Sequence, residues 1–307
     1  MKVLIAGSNG MIGSAVTMYL VERGYEVVRL VRSAPKTGEI FWDPDAAKID
    51  QDALEGFDGV VNLASMRWPM RWTASMKEKM LANRMATNGL LAKALSACKQ
   101  KPGVLIAASG MGYYPSSGDR VLTEESSAGT KFLADFQKQG EAAAILATFA
   151  GIRVVNLRIP MVIGGSALEH AGFRAGDGMQ WFSWVGRDEL ASIIEFTLTH
   201  KELSGPVNAV SPNPLRLTDF ARISAETLGR KRTASIPLFI VRMIMGESGE
   251  EFILSSRRIE PEKLIEAGYP FRFPELAQAL KHEAGLTANS RVENKLPNTH
   301  IDTMQGD

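Results

Sequence analysis

Val3-Leu4-Ile5-Ala6-Gly7-Ser8-Asn9-Gly10-Met11-Ile12-Gly13 decides the fold. The apolar run Val3–Ala6 reads as a buried strand, and a glycine loop follows it at once. An apolar-periodic segment from Ala15 to Arg23 then reads as a helix closed by Gly24. Val27–Val31 is a second strand, ending in Arg32-Ser33. A glycine loop between a strand and a helix places backbone N–H groups at a helix N-terminus, where a pyrophosphate can sit. Gly7 permits the tight turn, Gly10 the approach of phosphates, and Gly13 the packing of helix on strand. A merely structural glycine turn is the plainer alternative. The complete strand–loop–helix–strand unit favours dinucleotide binding, with contacts from Gly7, Ser8, Asn9, Gly10, Met11, Ile12 and Gly13.

Outward from this unit, strands and helices alternate. Glu39–Pro44 reads as a short strand and turn, Asp50–Phe57 as a short helix or loop, and Asp58–Ser65 as a buried strand. Ligands of doubly wound sheets bind outside the carboxyl ends of strands, so Leu63, Ala64 and Ser65 should border the cofactor. The loop Arg67-Trp68-Pro69-Met70-Arg71-Trp72 is either solvated with one anchoring Trp or part of a lid or substrate wall. Met76–Lys99 has helical periodicity, and Val104–Ala108 is a strand that delivers Ser109 and Tyr113-Tyr114 to the same edge. Phe132–Phe149 is an alanine-rich helix and Gly151–Arg158 the next strand. This order predicts an α/β fold, a Rossmann-type doubly wound parallel sheet with right-handed crossovers.

Beyond Ile159 the pattern loosens. Gly164–Gly178 reads as a loop over the site, and Trp181–Val185 as a return to the sheet edge. Asp188–His200 should be helical and Val207–Val210 a strand, and Thr218 should cap a helix ending at Leu228. A helix from Glu262 stopped by Gly268, and a short one over Leu276–Glu283, complete the chain. The expected division is a nucleotide-binding unit over 1–160 joined by about 185–211. A smaller, interwoven substrate region covers 161–184 and 212–286, and 287–307 is a disordered tail.

Composition narrows the function. Of 307 residues 45% are hydrophobic, enough for a large core. Thirty-five Lys+Arg against 34 Asp+Glu leave a net charge of +1, no footprint for nucleic acid or an anionic membrane. One cysteine, Cys98, rules out an intrachain disulfide, and four scattered histidines offer no metal site. The chain opens into a strand without a signal peptide, and no apolar run reaches the ~20 residues of a membrane span. A soluble cytoplasmic protein acting on a small molecule is expected.

Cofactor choice turns on the end of the second strand. NAD-binding units usually place Asp or Glu there to hold the ribose hydroxyls. Arg32-Ser33 instead suits the 2′-phosphate of NADP(H), with Val31 beside it. Arg84 is either a second phosphate contact or a surface charge.

The glycine loop, Asn62-Leu63-Ala64, Ser109 with Tyr113-Tyr114, and Arg158-Ile159-Pro160 resemble the extended short-chain dehydrogenase/reductases. There a Ser polarises the substrate oxygen, and a Tyr-x-x-x-Lys pair moves the proton. None of the five tyrosines here has lysine four residues on, and Leu133 and Gln137 stand where that pair should be. Trp42-Asp43, Arg71-Trp72-Thr73, Arg84, Gly112-Tyr113-Tyr114, Glu124-Glu125, Gly176-Asp177-Gly178-Met179-Gln180, Trp184, Gly246-Glu247, Pro261 and Ala267-Gly268-Tyr269 are closer to the YfcH-like "epimerase family". That resemblance spans roughly 1–285 and implies NADP(H) near Val31, Arg32, Leu63, Ala64 and Arg84. The chain departs from it at Trp184-Val185-Gly186-Arg187-Asp188, where relatives carry a histidine in place of Gly186.

The remaining candidates for chemistry are Ser109 to orient a substrate oxygen and Tyr113 or Tyr114 to assist. Adjacent side chains on an extended segment diverge, so one tyrosine should lie in the core. Arg67, Arg71 and Trp184 are candidate substrate contacts. The implied activity is oxidoreductase or epimerase-like chemistry on a small carbonyl or sugar nucleotide. A catalytically silent NADP(H)-binding sensor is the competing reading. Homodimers are common in the superfamily.

Overall fold

Apolar pentads and tetrads with side chains on both faces build the central sheet. The computed structural model describes residues 1–66, 68–165, 168, 174–230 and 235–293, with side chains to 285. The first half of the chain forms β1 (Lys2–Ala6), α1 (Met11–Glu22), β2 (Glu26–Val31), β3 (Glu39–Asp43), β4 (Lys48–Ile49) and β5 (Gly59–Asn62). There follow α2 (Ala74–Ala97), β6 (Val104–Gly110), β7 (Val121–Leu122), α3 (Phe132–Ile145) and β8 (Arg153–Ile159). β9 (Met161–Ile163), β10 (Trp181–Phe182), β11 (Trp184–Gly186), α4 (Arg187–Thr199) and β12 (Gly205–Asn208) continue the alternation. The chain then runs through β13 (Leu215–Arg216), α5 (Leu217–Thr227), α6 (Leu238–Met245), α7 (Glu247–Phe252), β14 (Arg258–Ile259), α8 (Glu262–Glu266) and α9 (Leu276–Glu293).

Among the described residues the large sheet has eight strands in the order β12-β8-β6-β5-β1-β2-β3-β4. All its pairs are parallel except β3–β4. The order reverses between β1 and β5, which opens a crevice at their carboxyl ends. The strand period of two divides the core into two layers. Val3 and Ile5 join Val61, Ile106 and Val155 under Val16 and Leu20 of α1 and Ile193 and Ile194 of α4. Leu4 and Ala6 join Val60, Leu105 and Val154 under Leu91 and Leu95 of α2 and Ala144 of α3. Helices on both faces of a mainly parallel sheet are the expected doubly wound fold.

The later chain corrects several expectations. Trp181–Val185 does not rejoin the large sheet. β10 pairs antiparallel with β13, and β11 pairs parallel with β9, because the inward Trp184 needs a core of its own with Phe220, Val241 and Leu280. The helix expected to be capped by Thr218 is capped two residues earlier, by Arg216, and Leu217 and Thr218 donate backbone bonds to Gln180 and Gly178. The last helix does not stop at Glu283. It runs to Glu293, so the expected tail is helical over its first residues, and 294–307 lie outside the described residues. No helix among the described residues is long and apolar enough to cross a membrane.

Candidate active site

The crevice between β1, β2 and β5 is a cleft of about 330 Å³ lined by Gly7, Ser8, Asn9, Gly10, Val31, Arg32, Leu63, Ala64 and Ser65. Its shape follows from the glycines. A Cβ on Gly7, whose φ is +78°, would lie 2.6 Å from the Leu63 carbonyl carbon, and one on Gly13 would lie 2.1 Å from the Gly7 oxygen. These two residues let loop, helix and strand close on one another. Gly10 differs, with its nearest contact at an ordinary 3.4 Å, so its open side is free for a ligand. Gly10 is also the N-cap of α1, and no side chain caps the helix. The first-turn N–H groups, those of Met11, Ile12 and Gly13 among them, therefore face an anion site.

Three further features suit an extended anionic ligand. Ser8 Oγ is buried without a hydrogen-bond partner. Asn9 Oδ1 accepts from Arg29 Nη2 at 3.1 Å, which ties the loop to β2. Arg32 is exposed at the far wall and makes no ion pair among the described residues. A pyrophosphate at the helix end and a ribose phosphate beside Arg32 would meet both needs. Ser33 is exposed just beyond the lining, and Trp42 lines the cleft together with Asn83 and Thr87, two residues that nothing local in the sequence marks.

At the end of β6 the candidates for chemistry sit in a buried hydrogen-bonded network. Ser109 is buried and its Oγ donates to Glu141 Oε1 at 2.6 Å, with Gln137 Oε1 at 3.3 Å. Glu141 also takes both Arg158 donors, Nε and Nη2, at 3.0 Å. Arg158 Nη1 donates to the Tyr114 hydroxyl at 2.8 Å, and that hydroxyl donates to Asn208 Oδ1 at 2.7 Å. Burial pushes the Tyr114 phenol up to about 12. Burial opposes the charge on Arg158, but the Glu141 carboxylate outweighs it and holds the guanidinium above its ordinary value. Tyr114 is thus the tyrosine that lies in the core, and Ser109 is committed to a carboxylate. Tyr113 is half-buried, with the Arg158 guanidinium 3.4 Å over its ring.

Several other candidates fall away from the cleft. Arg84 is buried, with Nη1 on the Ala108 carbonyl at 3.0 Å and its guanidinium over Phe136, so it braces α2 against α3 instead of lining the cleft. Burial lowers its pKa to about 10. Trp184 is 1% exposed and gives its Nε1 to the Asn213 carbonyl at 3.1 Å, a core position and not a substrate contact. Arg71 is exposed beside Gly246, and Arg67 lies outside the described residues. Two tryptophans of that loop, Trp68 and Trp72, anchor it against Phe132, Phe136 and Phe252. Glu141 was missed from sequence. Leu133, Gln137 and Glu141 recur at four-residue spacing on one face of α3, and that spacing was the available signal.

The family described as the NAD dependent epimerase/dehydratase family matches residues 3–209, and a domain of unknown function (DUF1731) matches residues 236–283. The chain is 34% identical to the epimerase family protein ML0860 of Mycobacterium leprae, covering 91% of this chain and 94% of that one. A crystal structure of the human epimerase family protein SDR39U1 (isoform 2) with NADPH superposes with a TM-score of 0.85 at 31% identity, covering 93% and 99% of the two chains. A nucleoside-diphosphate sugar epimerase from Corynebacterium glutamicum gives 0.77 at 32% identity, over 97% of this chain and 62% of that chain. The chain belongs to the NAD-dependent epimerase/dehydratase family, as an epimerase family protein with the DUF1731 region over residues 236–283.

Proposed function

We propose that the chain binds NADP(H) in the β1–β5 crevice and is an oxidoreductase or epimerase-like enzyme of the cytoplasm acting on a small carbonyl or sugar-nucleotide substrate. One observation carries the cofactor reading. The uncapped N-terminus of α1 and Arg32, the one cation lining the cleft among the described residues, stand at its two walls. The human relative solved with NADPH supports it. Bound there, the nicotinamide would supply or accept hydride. The chain's own residues hold the phosphates through the Gly7–Gly13 loop, shape the crevice with Leu63 and Ala64, and keep Ser109 and Tyr113 at the neighbouring strand end. Tyr113 is the candidate proton donor, because Tyr114 is sealed in the core.

Arg32→Asp tests this reading. A charge-assisted contact to the 2′-phosphate predicts roughly ten- to hundredfold weaker NADPH binding, with NADH binding changed by less than about threefold. Fluorescence titration with both nucleotides measures it, and equal losses would remove the 2′-phosphate assignment.

The commitment of Ser109 to Glu141 favours a second reading, an NADP(H)-binding sensor without turnover. Oxidation of NADPH across a panel of aldehydes and ketones separates the two. Tight binding with no oxidation supports the sensor, and turnover of any member supports the enzyme.

A further inference from the structure

Away from the cleft, a cavity of about 220 Å³ lies between the loop after β6, the start of α3 and the 251–257 segment. Its walls are bonded to one another. Gly129 N donates to the Tyr113 carbonyl at 2.8 Å, Ser117 N to the Ser256 carbonyl at 2.9 Å, and Ser256 N to Ser116 Oγ at 3.0 Å. Two charged side chains are buried in the lining. Glu251 is 1% exposed, and its Oε2 accepts from Leu133 N at 3.2 Å while Oε1 has no hydrogen-bond partner. Arg257 is 4% exposed and gives Nε to the Tyr114 carbonyl at 2.9 Å and Nη1 to the Glu251 carbonyl at 2.7 Å. Its hydrogen bonds therefore go to main-chain oxygens, and the Glu251 carboxylate receives none of them. Lys131 adds an exposed cation to the lining.

A buried carboxylate oxygen without a donor is unfavourable unless a ligand or water supplies one. Burial pushes the Glu251 carboxyl up and Arg257 down to about 10, as expected of charges short of partners. Two cations beside one carboxylate in the lining favour a ligand that carries an anionic group. The volume is below the ~300 Å³ at which drug-sized pockets begin, which suits a ligand smaller than a sugar nucleotide.

We propose that this cavity binds a small carboxylate carrying a hydroxyl or ammonium group beside it, a hydroxy acid or an amino acid. The ligand carboxylate sits against Arg257 and Lys131, and the neighbouring donor satisfies Glu251 Oε1. The site is separate from the dinucleotide cleft and does not depend on its occupancy. Gly112 borders the cavity, and Leu133 packs on Gly112, so a bound ligand touches the β6–α3 junction directly.

Titration calorimetry on the full chain tests the proposal with L-lactate and L-serine as probes. Acetate carries the charge without the donor, and glycerol the donors without the charge. Lactate or serine should bind at least about tenfold tighter than either control, the scale of a hydrogen bond to a charged group. Glu251→Gln should erase the advantage over acetate. Lys131→Ala, at an exposed position, should weaken lactate and acetate alike. NADPH affinity in both variants reports that the fold is kept. Lactate and serine binding no better than acetate, or a preference unchanged in both variants, would overturn the proposal.

Discussion

Glu124 shows how a single buried carboxylate can set a pH dependence. Its Oε1 accepts from Asn208 N at 2.9 Å, while Oε2 is buried without a partner. Burial raises its pKa above the usual carboxylate range. The fold therefore favours the protonated acid, and stability is lost as pH rises from the ordinary range through the raised value. Glu124→Gln keeps an acceptor for Asn208 N and removes the ionisation. Its melting temperature should exceed that of the parent at pH 7, with the advantage shrinking toward about pH 5, where carboxyls begin to protonate. Thermal unfolding of both proteins at the two pH values checks this, and an equal shift at both would refute it. The pairings of such residues were hidden in the sequence. Ser109 meets Glu141 across 32 positions and Tyr114 meets Asn208 across 94, and neither distance leaves a local pattern. Arg32 was legible because its meaning depends only on its place at a strand end.

Among the elements, the loop and helix of residues 7–22 were the most readable part. Their chemistry is local: a buried strand, a turn that only glycine enters, and a helix start. The structure separates two glycine roles that the sequence spacing presents alike. At Gly13 an added Cβ meets the Gly7 backbone, whereas at Gly10 it meets ordinary van der Waals space. Gly13→Val should push α1 off β1 and destabilise by at least about 3 kcal/mol, as backbone overpacking does. Gly10→Ala should change stability by less than about 1 kcal/mol, since the cap there uses no side chain. It should still weaken NADPH binding at least about tenfold, because its methyl group would stand where the phosphates approach. Denaturant unfolding paired with nucleotide titration distinguishes the two. Stable, fully binding Gly10→Ala protein would argue that Gly10 serves the turn alone. The strands β10 and β11 were harder to place, since an aromatic run looks the same whether it joins a large sheet or a two-stranded one.

At the scale of the whole molecule, the C-terminal region is sewn into the nucleotide-binding unit. β14 pairs with β7, Arg257 holds the Tyr114 carbonyl, and Asn208 Nδ2 donates to the Glu260 carbonyl at 3.0 Å. Leu264 and Tyr269 belong to the same core as Val3 and Ile5 of β1. The loop over 68–72 closes the other side through Trp72, which is 8% exposed and contacts Phe132 of α3 and Phe252 of α7. Parts that share cores and ladders unfold together, so calorimetry should show one transition whose calorimetric and van't Hoff enthalpies agree. Trp72→Ala removes one of the two tryptophans that join α3 to α7 and should destabilise by about 3–5 kcal/mol. The decisive point is how that loss is distributed. If the region from 236 onward is an integral part of the fold, the whole transition moves down in temperature and stays single. A second transition, with the nucleotide-binding part still melting at its original temperature, would show that the two regions are thermodynamically separate despite the β7–β14 ladder between them.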